Sequence, residues 1–274
     1  MPKHESPVRI GEVSCKSIIN SSGIKGVDYA VNPYIGCAHA CTYCYARFMT
    51  RWYHHGERWG SFVDVKKNAL ECIKQEAQHK KHGIVLFSSV TDSYQPIEKK
   101  TELTRKLLQV LMEYDLPVEI LTKSSLVERD LDIIEAFTQS EIGLTITSLD
   151  DKVRKAFEPC ASSINERLTT LETFSEAGVS TYAFLGPLLP YLSEEKLEEL
   201  LNILADRVGR VIVDRLNIKA GNWKEIEETL LNYFPDILPE FKEASKEESN
   251  YYDELKKRTI RLLDERAIPY DIVY

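Results

Sequence analysis

The sequence has no apolar run that approaches the roughly 20 residues of a membrane-spanning helix. Its first ten residues, MPKHESPVRI, also lack the apolar centre of a secretory signal peptide. Lysine and arginine total 35 against 43 aspartate and glutamate residues, which gives a net charge of −8 and no overall basic field to attract nucleic acid. We therefore expect a cytoplasmic protein with no membrane part, whose cysteines stay reduced.

Several common signature motifs are also missing. The sequence contains no P-loop, no G-x-G-x-x-G dinucleotide fingerprint and no G-x-S-x-G nucleophile elbow. The 12 glycines and 11 prolines in 274 residues are too few for a fibrous or low-complexity chain. With 43% hydrophobic and 28% charged residues, the composition is that of a globular protein with a packed core.

Short apolar runs alternate along the chain with segments of helical periodicity. The runs that predict strands lie at 84–88, 118–122, 142–147, 181–185, 211–213 and 270–273. The segments that predict helices lie at 101–114, 130–137, 164–177, after an N-cap at Ser193, at 223–233 and at 242–266. Such alternation is typical of parallel strands joined by helices.

This pattern predicts an α/β fold of one domain, a partial (β/α) barrel, with a doubly wound open sheet as the alternative. The domain would span residues 1–274, with a core at about 28–215 and a C-terminal helical extension at about 222–274. Both folds place their sites at the carboxyl ends of the strands, so residues that directly follow a strand are the candidates for chemistry.

Three of the six cysteines fall within eight residues, in the segment NPYIGCAHACTYCYAR. Cys37, Cys41 and Cys44 have the spacing C-x3-C-x2-C, with His39 between the first two. A structural zinc site of three cysteines and one histidine is one interpretation, but His39 is only two residues from Cys37 and from Cys41. Three thiolates in one short loop suit an iron–sulfur cluster better, with one iron left open for a small molecule.

The cysteine spacing, with an aromatic residue before the last cysteine, resembles the signature of the radical S-adenosylmethionine (SAM) superfamily. Tyr43-Cys44-Tyr45 and the segments 87–98, 120–130, 145–150 and 157–168 are similar to the spore photoproduct lyase family, also described as DNA repair photolyase-like. The resemblance implies a [4Fe-4S] cluster on Cys37, Cys41 and Cys44, with SAM on the open iron. It also implies reductive cleavage of SAM to a 5′-deoxyadenosyl radical, with electrons from a flavodoxin- or ferredoxin-like donor.

The resemblance implies roles for polar residues that follow the predicted strands. Lys123 resembles the lysine that meets the SAM carboxylate, and a cation there is electrostatically reasonable. Ser88, Ser89 and Asp92 occupy the region that holds the SAM amino group, which needs hydrogen-bond acceptors.

Further roles are less sharply defined by the resemblance. Ser148 is expected to bond the ribose or the carboxylate of SAM. Arg167 is expected either to contact the ligand or to form a structural ion pair with Glu158. Tyr45 is a candidate to contact the adenine or to relay a radical, while Tyr43 is expected to pack.

One departure from the family concerns the hydrogen donor. Spore photoproduct lyase uses a cysteine near the segment written here as SSVTDS, and this chain has Val90 at that position. Valine has no weak X–H bond to give, and Cys160 is better read as a small apolar filler. The substrate is therefore not identified, and repair of spore photoproduct is not expected.

Basic and aromatic residues interleave just after the cysteines, in the segment RFMTRWYHHGERW. This arrangement suits phosphates and stacked bases, so a nucleic-acid substrate is one interpretation and a cover over the cluster is the other. A non-catalytic zinc or iron–sulfur protein that binds nucleic acid is the alternative function. The five residues of this predicted patch are Arg47, Arg51, Trp52, Arg58 and Trp59.

Overall fold

A computed structural model describes residues 7–80, 82–218 and 221–274, so the expectation about the first ten residues lies largely outside it. Within these ranges the chain forms eleven strands. They are β1 (Arg9–Val13), β2 (Ile19–Ser21), β3 (Tyr29–Val31), β4 (Tyr34–Ile35), β5 (Phe62–Lys66), β6 (Val85–Phe87), β7 (Val118–Thr122), β8 (Ser140–Thr145), β9 (Ser180–Leu188), β10 (Arg210–Arg215) and β11 (Tyr270–Ile272).

Helices connect and cover these strands. The α-helices are α1 (Ala69–Ala77), α2 (Glu98–Thr101), α3 (Leu103–Met112), α4 (Leu131–Ile134), α5 (Asp151–Phe157), α6 (Ile164–Glu176), α7 (Leu197–Leu204), α8 (Trp223–Tyr233), α9 (Leu238–Ala244) and α10 (Tyr251–Asp264). Three 3-10 segments lie at Tyr45–Arg51, Ser125–Asp130 and Pro235–Ile237.

The main sheet has eight strands in the order β2-β3-β6-β7-β8-β9-β10-β11. Every neighbouring pair is parallel except β2 with β3. From β3 onward the spatial order follows the chain order, as expected when each strand is followed by a crossover helix. The edge strands β2 and β11 do not pair with each other, so the barrel is partial, as predicted.

A second, three-stranded sheet of β1, β5 and β4 was not predicted. Its strand β4 leads directly into Gly36, whose φ of +83° is a conformation that favours glycine. A Cβ atom at Gly36 would lie 2.4 Å from the carbonyl oxygen of Phe62 in β5. The small sheet therefore presses against the start of the segment that contains the three cysteines.

Several predicted elements match the structure closely. Strand β7 and helix α8 have the predicted bounds, and helix α6 begins with a capping box between Ser163 and Glu166. The prediction of one helix over 242–266 is wrong, because it is interrupted between α9 and α10. The interruption has polar side chains that bond to the backbone: Ser249 Oγ accepts from Tyr251 N at 3.2 Å.

The predicted N-cap at Ser193 is also wrong, since helix α7 begins at Leu197. Ser193 is buried, donates its hydroxyl to the Thr147 carbonyl and accepts from Leu189 N at 2.7 Å. Its side chain ties the segments after β8 and β9 together instead of starting the helix. In the part of the chain that the structure describes, every helix is too short or too polar to cross a bilayer.

Candidate active site

A cavity opens at the carboxyl ends of the parallel strands, where this fold class places its chemistry. The loop with the three cysteines forms one side. The opposite side comes from the ends of β9 and β10, with Pro187, Asp214 and Arg215. The segments after β6 and β7 and the last residue of β8 supply the residues between these two sides, which include Ser88, Ser89, Val90, Asp92, Lys123 and Thr145.

The cysteine loop, residues 36–44, is fixed on one side by the segment after β6. Buried Gln95 accepts from Ala38 N at 2.8 Å and donates to the Gly36 carbonyl at 3.2 Å. Thr91 donates its hydroxyl to the same carbonyl at 2.6 Å. These bonds satisfy backbone groups that a loop in the interior would otherwise leave without partners.

The other side of the cysteine loop is held by later parts of the chain. Thr42 N donates to the Phe157 carbonyl at 2.9 Å. Asn222, a fully buried residue just before α8, donates to the Tyr43 carbonyl at 2.6 Å. Arg47 forms an ion pair with Glu225 on α8. Elements that are distant in sequence thus anchor the loop.

All three predicted cluster cysteines line the cavity. Cys37 and Cys41 are 7% and 6% exposed, and burial raises the pKa of all three thiols, while the charge of Lys123 lowers that of Cys41 and Cys44. Thiols in this environment are poor nucleophiles unless a bound cation compensates the thiolates. Within the described ranges, no three Cys, His, Asp or Glu side chains converge closely enough to hold one metal ion.

Two buried ring nitrogens lie beside the cysteines. The indole nitrogen of Trp59 has no hydrogen-bond acceptor within the described residues, whereas Nδ1 of His39 lies 3.2 Å from Asp92 Oδ2. Both residues line the cavity. Buried N–H groups are rarely left unpaired, so a group with acceptor atoms fits this end of the cavity.

Lys123 follows β7 and extends into the cavity, with Nζ 3.4 Å from Thr145 Oγ1 and 5.9 Å from the centre of the Tyr43 ring. Burial disfavours its ammonium, but the charges of Cys41, Glu158 and Asp92 outweigh burial and raise the pKa of Lys123. The side chain is therefore positively charged at neutral pH. It can meet an anionic group of a ligand in the cavity.

Asp92 is positioned beside Lys123 but is already occupied by protein donors. It accepts from Tyr94 N at 2.9 Å, from the Thr122 hydroxyl at 2.6 Å and from Lys123 N at 2.9 Å. Burial would raise its pKa, yet nearby His39 and these hydrogen bonds hold the pKa of Asp92 well below its usual range. Asp92 orients the segment that presents Lys123, which leaves few lone pairs for a ligand ammonium.

Ser88, Ser89 and Tyr45 meet at the mouth of the cavity. Ser88 has a φ of +82° and accepts from Ser93 N at 2.8 Å, while Ser89 Oγ accepts from Asn32 at 2.8 Å. Tyr45 donates its hydroxyl to the Ser89 carbonyl and remains 47% exposed. The predicted ligand-binding serines and the predicted catalytic tyrosine are thus brought together.

The structure does not bring Ser148 and Arg167 to the cavity surface. Ser148 is buried and donates to the Leu192 carbonyl at 3.0 Å. Arg167 is fully buried in an ion pair with Glu158, which also accepts from the Tyr43 hydroxyl. Of the two predicted roles of Arg167, the geometry matches the ion pair. Tyr43, which was expected to pack, lines the cavity and joins this pair through its hydroxyl.

The predicted basic and aromatic patch is not one surface. Arg47 and Trp59 are buried, so the part of that prediction that places them against a nucleic acid is wrong. Arg47 forms an ion pair with Glu225. Trp59 forms part of the cavity wall, which matches the other interpretation, a cover over the cysteines. Trp52 is 69% exposed, and Arg51 and Arg58 are exposed as well.

Some site residues carried no sequence signal. Asp214 lines the cavity opposite the cysteines, and its Oδ1 accepts from Arg215 N at 2.8 Å. Burial raises the pKa of Asp214. Asn222 acts on the cysteine loop from outside any motif, whereas Gln95 lies in the family-like segment 87–98 but had no predicted role. Val90 lines the cavity as expected for the donor position, whereas Cys160 is exposed rather than an interior filler.

Comparison with known proteins gives a consistent result. The chain matches the Radical SAM superfamily over residues 31–204. An uncharacterized protein of Methanocaldococcus jannaschii is 38% identical over 231 residues, which are 84% of this chain and 86% of that protein. An uncharacterized protein of Mycobacterium tuberculosis is 30% identical over 206 residues, which are 71% of this chain and 61% of that protein. A spore photoproduct lyase variant with bound AdoMet and dinucleoside spore photoproduct has a TM-score of 0.74 at 18% identity, over 97% of this chain and 81% of that one.

The chain therefore belongs to the radical SAM superfamily and is a radical SAM enzyme. Its fold is that of spore photoproduct lyase, and at 18% identity this likeness concerns the fold alone. The resemblance seen in the sequence is confirmed at this level, and the non-catalytic alternative is wrong. Membership of the superfamily implies SAM and an iron–sulfur cluster as cofactors.

Proposed function

We propose that the protein cleaves SAM reductively on a [4Fe-4S] cluster held by Cys37, Cys41 and Cys44, and so starts radical chemistry on a substrate in the same cavity. The observation that supports this most directly is that the three cysteines share one cavity with the charged side chain of Lys123. When bound, the cluster and SAM supply one electron and a 5′-deoxyadenosyl radical that abstracts hydrogen.

The cysteine loop favours a cluster over a single zinc ion. A mononuclear site needs its ligands to converge on one point, whereas in a four-iron cluster each cysteine binds a different iron. The described Cys, His, Asp and Glu side chains show no such convergence, and the unpaired N–H of Trp59 suits the acceptor atoms of a larger group.

In this proposal the remaining residues of the cavity bind and orient SAM and the substrate. Lys123 pairs with the SAM carboxylate, and Asp92 holds Lys123 in place through its backbone. Ser88 and Ser89 offer acceptors to the SAM amino group, and Tyr45 closes the mouth of the cavity against the adenine. Asp214, on the opposite side, faces the region where a substrate must approach.

Anaerobic reconstitution tests the proposal. We expect about four irons per chain with sulfide, loss of iron uptake when all three cysteines are replaced by alanine, and slow formation of 5′-deoxyadenosine and methionine under reduction. Stoichiometric zinc in place of iron and sulfide after anaerobic preparation would contradict it.

Lys123→Met tests the SAM site itself. We expect SAM binding to weaken by about 1.5–3 kcal/mol, the value of a hydrogen bond to a charged group. Lys152→Met, which changes an exposed lysine on α5, is the matched control. Equal SAM affinity in the two variants, measured by calorimetry on reconstituted protein, would remove Lys123 from the site.

The finer identity of the partners stays a prediction. Enzymes of this superfamily take electrons from an external reductant, and a flavodoxin- or ferredoxin-like donor is the expected form. A nucleic-acid substrate would now depend on Arg51, Trp52 and Arg58, the exposed members of the predicted patch. A cytoplasmic location is expected from the sequence.

A further inference from the structure

A row of aromatic rings leads from the cavity to the protein surface. The 3-10 segment Tyr45–Arg51 begins directly after Cys44, and residues three apart in a 3-10 helix lie on the same side. Tyr45 and Phe48 stack with ring centres 6.4 Å apart, and Phe48 meets the edge of Trp52 at 5.6 Å. Tyr45 lines the cavity, whereas Trp52 is 69% exposed.

The outer end of this row has the composition of a protein interface. Tyr53 is 40% exposed beside Trp52, and exposed aromatic residues with arginine and without lysine are typical of protein–protein contacts. We call Tyr45, Phe48, Arg51, Trp52 and Tyr53 the aromatic face. An exposed group of large apolar side chains next to a functional cavity marks an interaction site.

The local charge of this face is opposite to that of the whole protein. Residues 45–56 contain no aspartate or glutamate, although the net charge of the chain is −8. Arg47 is compensated by Glu225, and Glu57, the next acid along the chain, is held by Arg9 at 2.8 Å. Within the described ranges no carboxylate forms an ion pair with Arg51, while the charge of Asp214 acts on Tyr45 at the cavity end of the face. The outer end of the face therefore favours an acidic partner.

A nucleic acid fits this face less well than an acidic protein does. Binding to a phosphate backbone depends on several cations that each contact a phosphate. Two of the five residues predicted for that role, Arg47 and Trp59, are buried. A single uncompensated arginine within a mostly aromatic surface matches the centre of a protein interface instead.

The geometry points to the aromatic face as the docking surface of the acidic one-electron carrier protein that reduces the cluster. This inference rests on the proposed function. Docking there places the carrier next to Tyr45, whose backbone is covalently joined to the ligand Cys44. The carrier loses one electron and the cluster gains it, and no bond is made or broken and no proton is transferred.

Comparison of two reductants tests the inference. The variant Arg51→Glu/Trp52→Ala is assayed for 5′-deoxyadenosine formation with reduced flavodoxin and, separately, with dithionite, a small ion that needs no docking surface. With no substrate present, we expect the rate with subsaturating flavodoxin to fall about tenfold and the dithionite rate to stay within about twofold of wild type. Arg261→Glu on α10, which also reverses an exposed arginine, should change neither rate.

Direct binding provides a second readout that does not depend on turnover. The dissociation constant of flavodoxin for the immobilised holoenzyme should rise about tenfold in the double variant, and that of the wild type should rise with added salt. Equal flavodoxin binding by the wild type and the double variant would overturn the inference.

Other results have distinct meanings. Loss of activity with both reductants would show that the aromatic face supports the cavity and would also overturn the inference. Weaker binding of a labelled single-stranded oligonucleotide by the double variant, with flavodoxin binding unchanged, would assign the face to nucleic acid. Absence of 5′-deoxyadenosine from the wild type with either reductant would instead refute the proposed function.

Discussion

The buried ion pair of Glu158 and Arg167 gives the sharpest stability prediction, because neither side chain is exposed to solvent. We expect Glu158→Gln to lower the free energy of unfolding by about 3–5 kcal/mol, since it leaves the Arg167 guanidinium buried without a counter-charge. Arg167→Met should also lower the free energy of unfolding, because it removes the guanidinium from Glu158, although the Tyr43 and Thr147 hydroxyls and the charge of Lys123 still stabilise that carboxylate.

The double variant should be less destabilised than the sum of the two single variants by at least about 2 kcal/mol, because it removes both charges together. It should not regain wild-type stability. Arg167 also donates to the carbonyls of Thr145 at 2.8 Å and Ser162 at 3.0 Å, and methionine can donate to neither. Each acceptor left without a donor costs about 1–3 kcal/mol.

Urea unfolding of the four proteins, followed by circular dichroism, measures this cycle. Additive effects, within about 0.5 kcal/mol, would refute the reasoning, because they would mean that the two charges do not depend on each other. SAM affinity distinguishes the two roles considered for Arg167. Because the pair lies behind the cavity wall, SAM binding by folded Arg167→Met should remain within about twofold of wild type. A larger loss would place Arg167 in the SAM site.

Three further predictions concern the cysteine loop, the stability at low pH and the substrate. Asn222→Ala removes the donor to the Tyr43 carbonyl. It should lower the free energy of unfolding by about 1–3 kcal/mol and reduce the bound iron, measured by unfolding and iron analysis. Asn232→Ala, which changes an exposed residue on α8, should change neither quantity. Hydrogen bonds from Arg154 lower the pKa of Asp151 from 3.8 to about 2, so its contribution is present above pH 3.8 and lost as the pH falls toward 2. Because the Asp151 side chain is 35% exposed, this contribution is below about 1 kcal/mol. In unfolding curves recorded at several pH values, Asp151→Asn should lack this loss of stability at low pH. The same pH dependence in the variant and the wild type would contradict the ion pair. The wild type should not repair spore photoproduct efficiently, because Val90 offers no weak X–H bond in the cavity; rapid multiple-turnover conversion of the dinucleotide lesion, followed by chromatography, would show that another residue donates hydrogen.

The alternation of strands and helices could be read from the sequence because each unit buries a continuous apolar face. Strand β7 and helix α8 were therefore located to the residue. The small sheet could not be predicted, since Arg9 pairs with Phe62 across more than 50 residues and short strands carry little periodicity. Such pairings are set by tertiary contacts rather than by local pattern.

Some residues of the candidate site could likewise be predicted from the sequence, and others could not. Cys37, Lys123 and Ser88 could be identified because they belong to a motif or directly follow a strand. Asn222 and Asp214 could not, because an asparagine before a helix and an aspartate in a strand are common, and only folding brings them to the cavity. For Arg167 the sequence left two roles open, because it does not show whether the side chain reaches the cavity or lies buried behind its wall.

The anchoring of the cysteine loop by α8 has a consequence for the order of events during biosynthesis. The bond from Asn222 to Tyr43 joins residues 179 positions apart, and the pair of Arg47 with Glu225 spans 178 positions. A ribosome releases these partners only after most of the chain has been made. The loop therefore gains these two contacts only late in synthesis, after β10 has been made. Until then the cysteine loop is held by fewer contacts than in the complete fold.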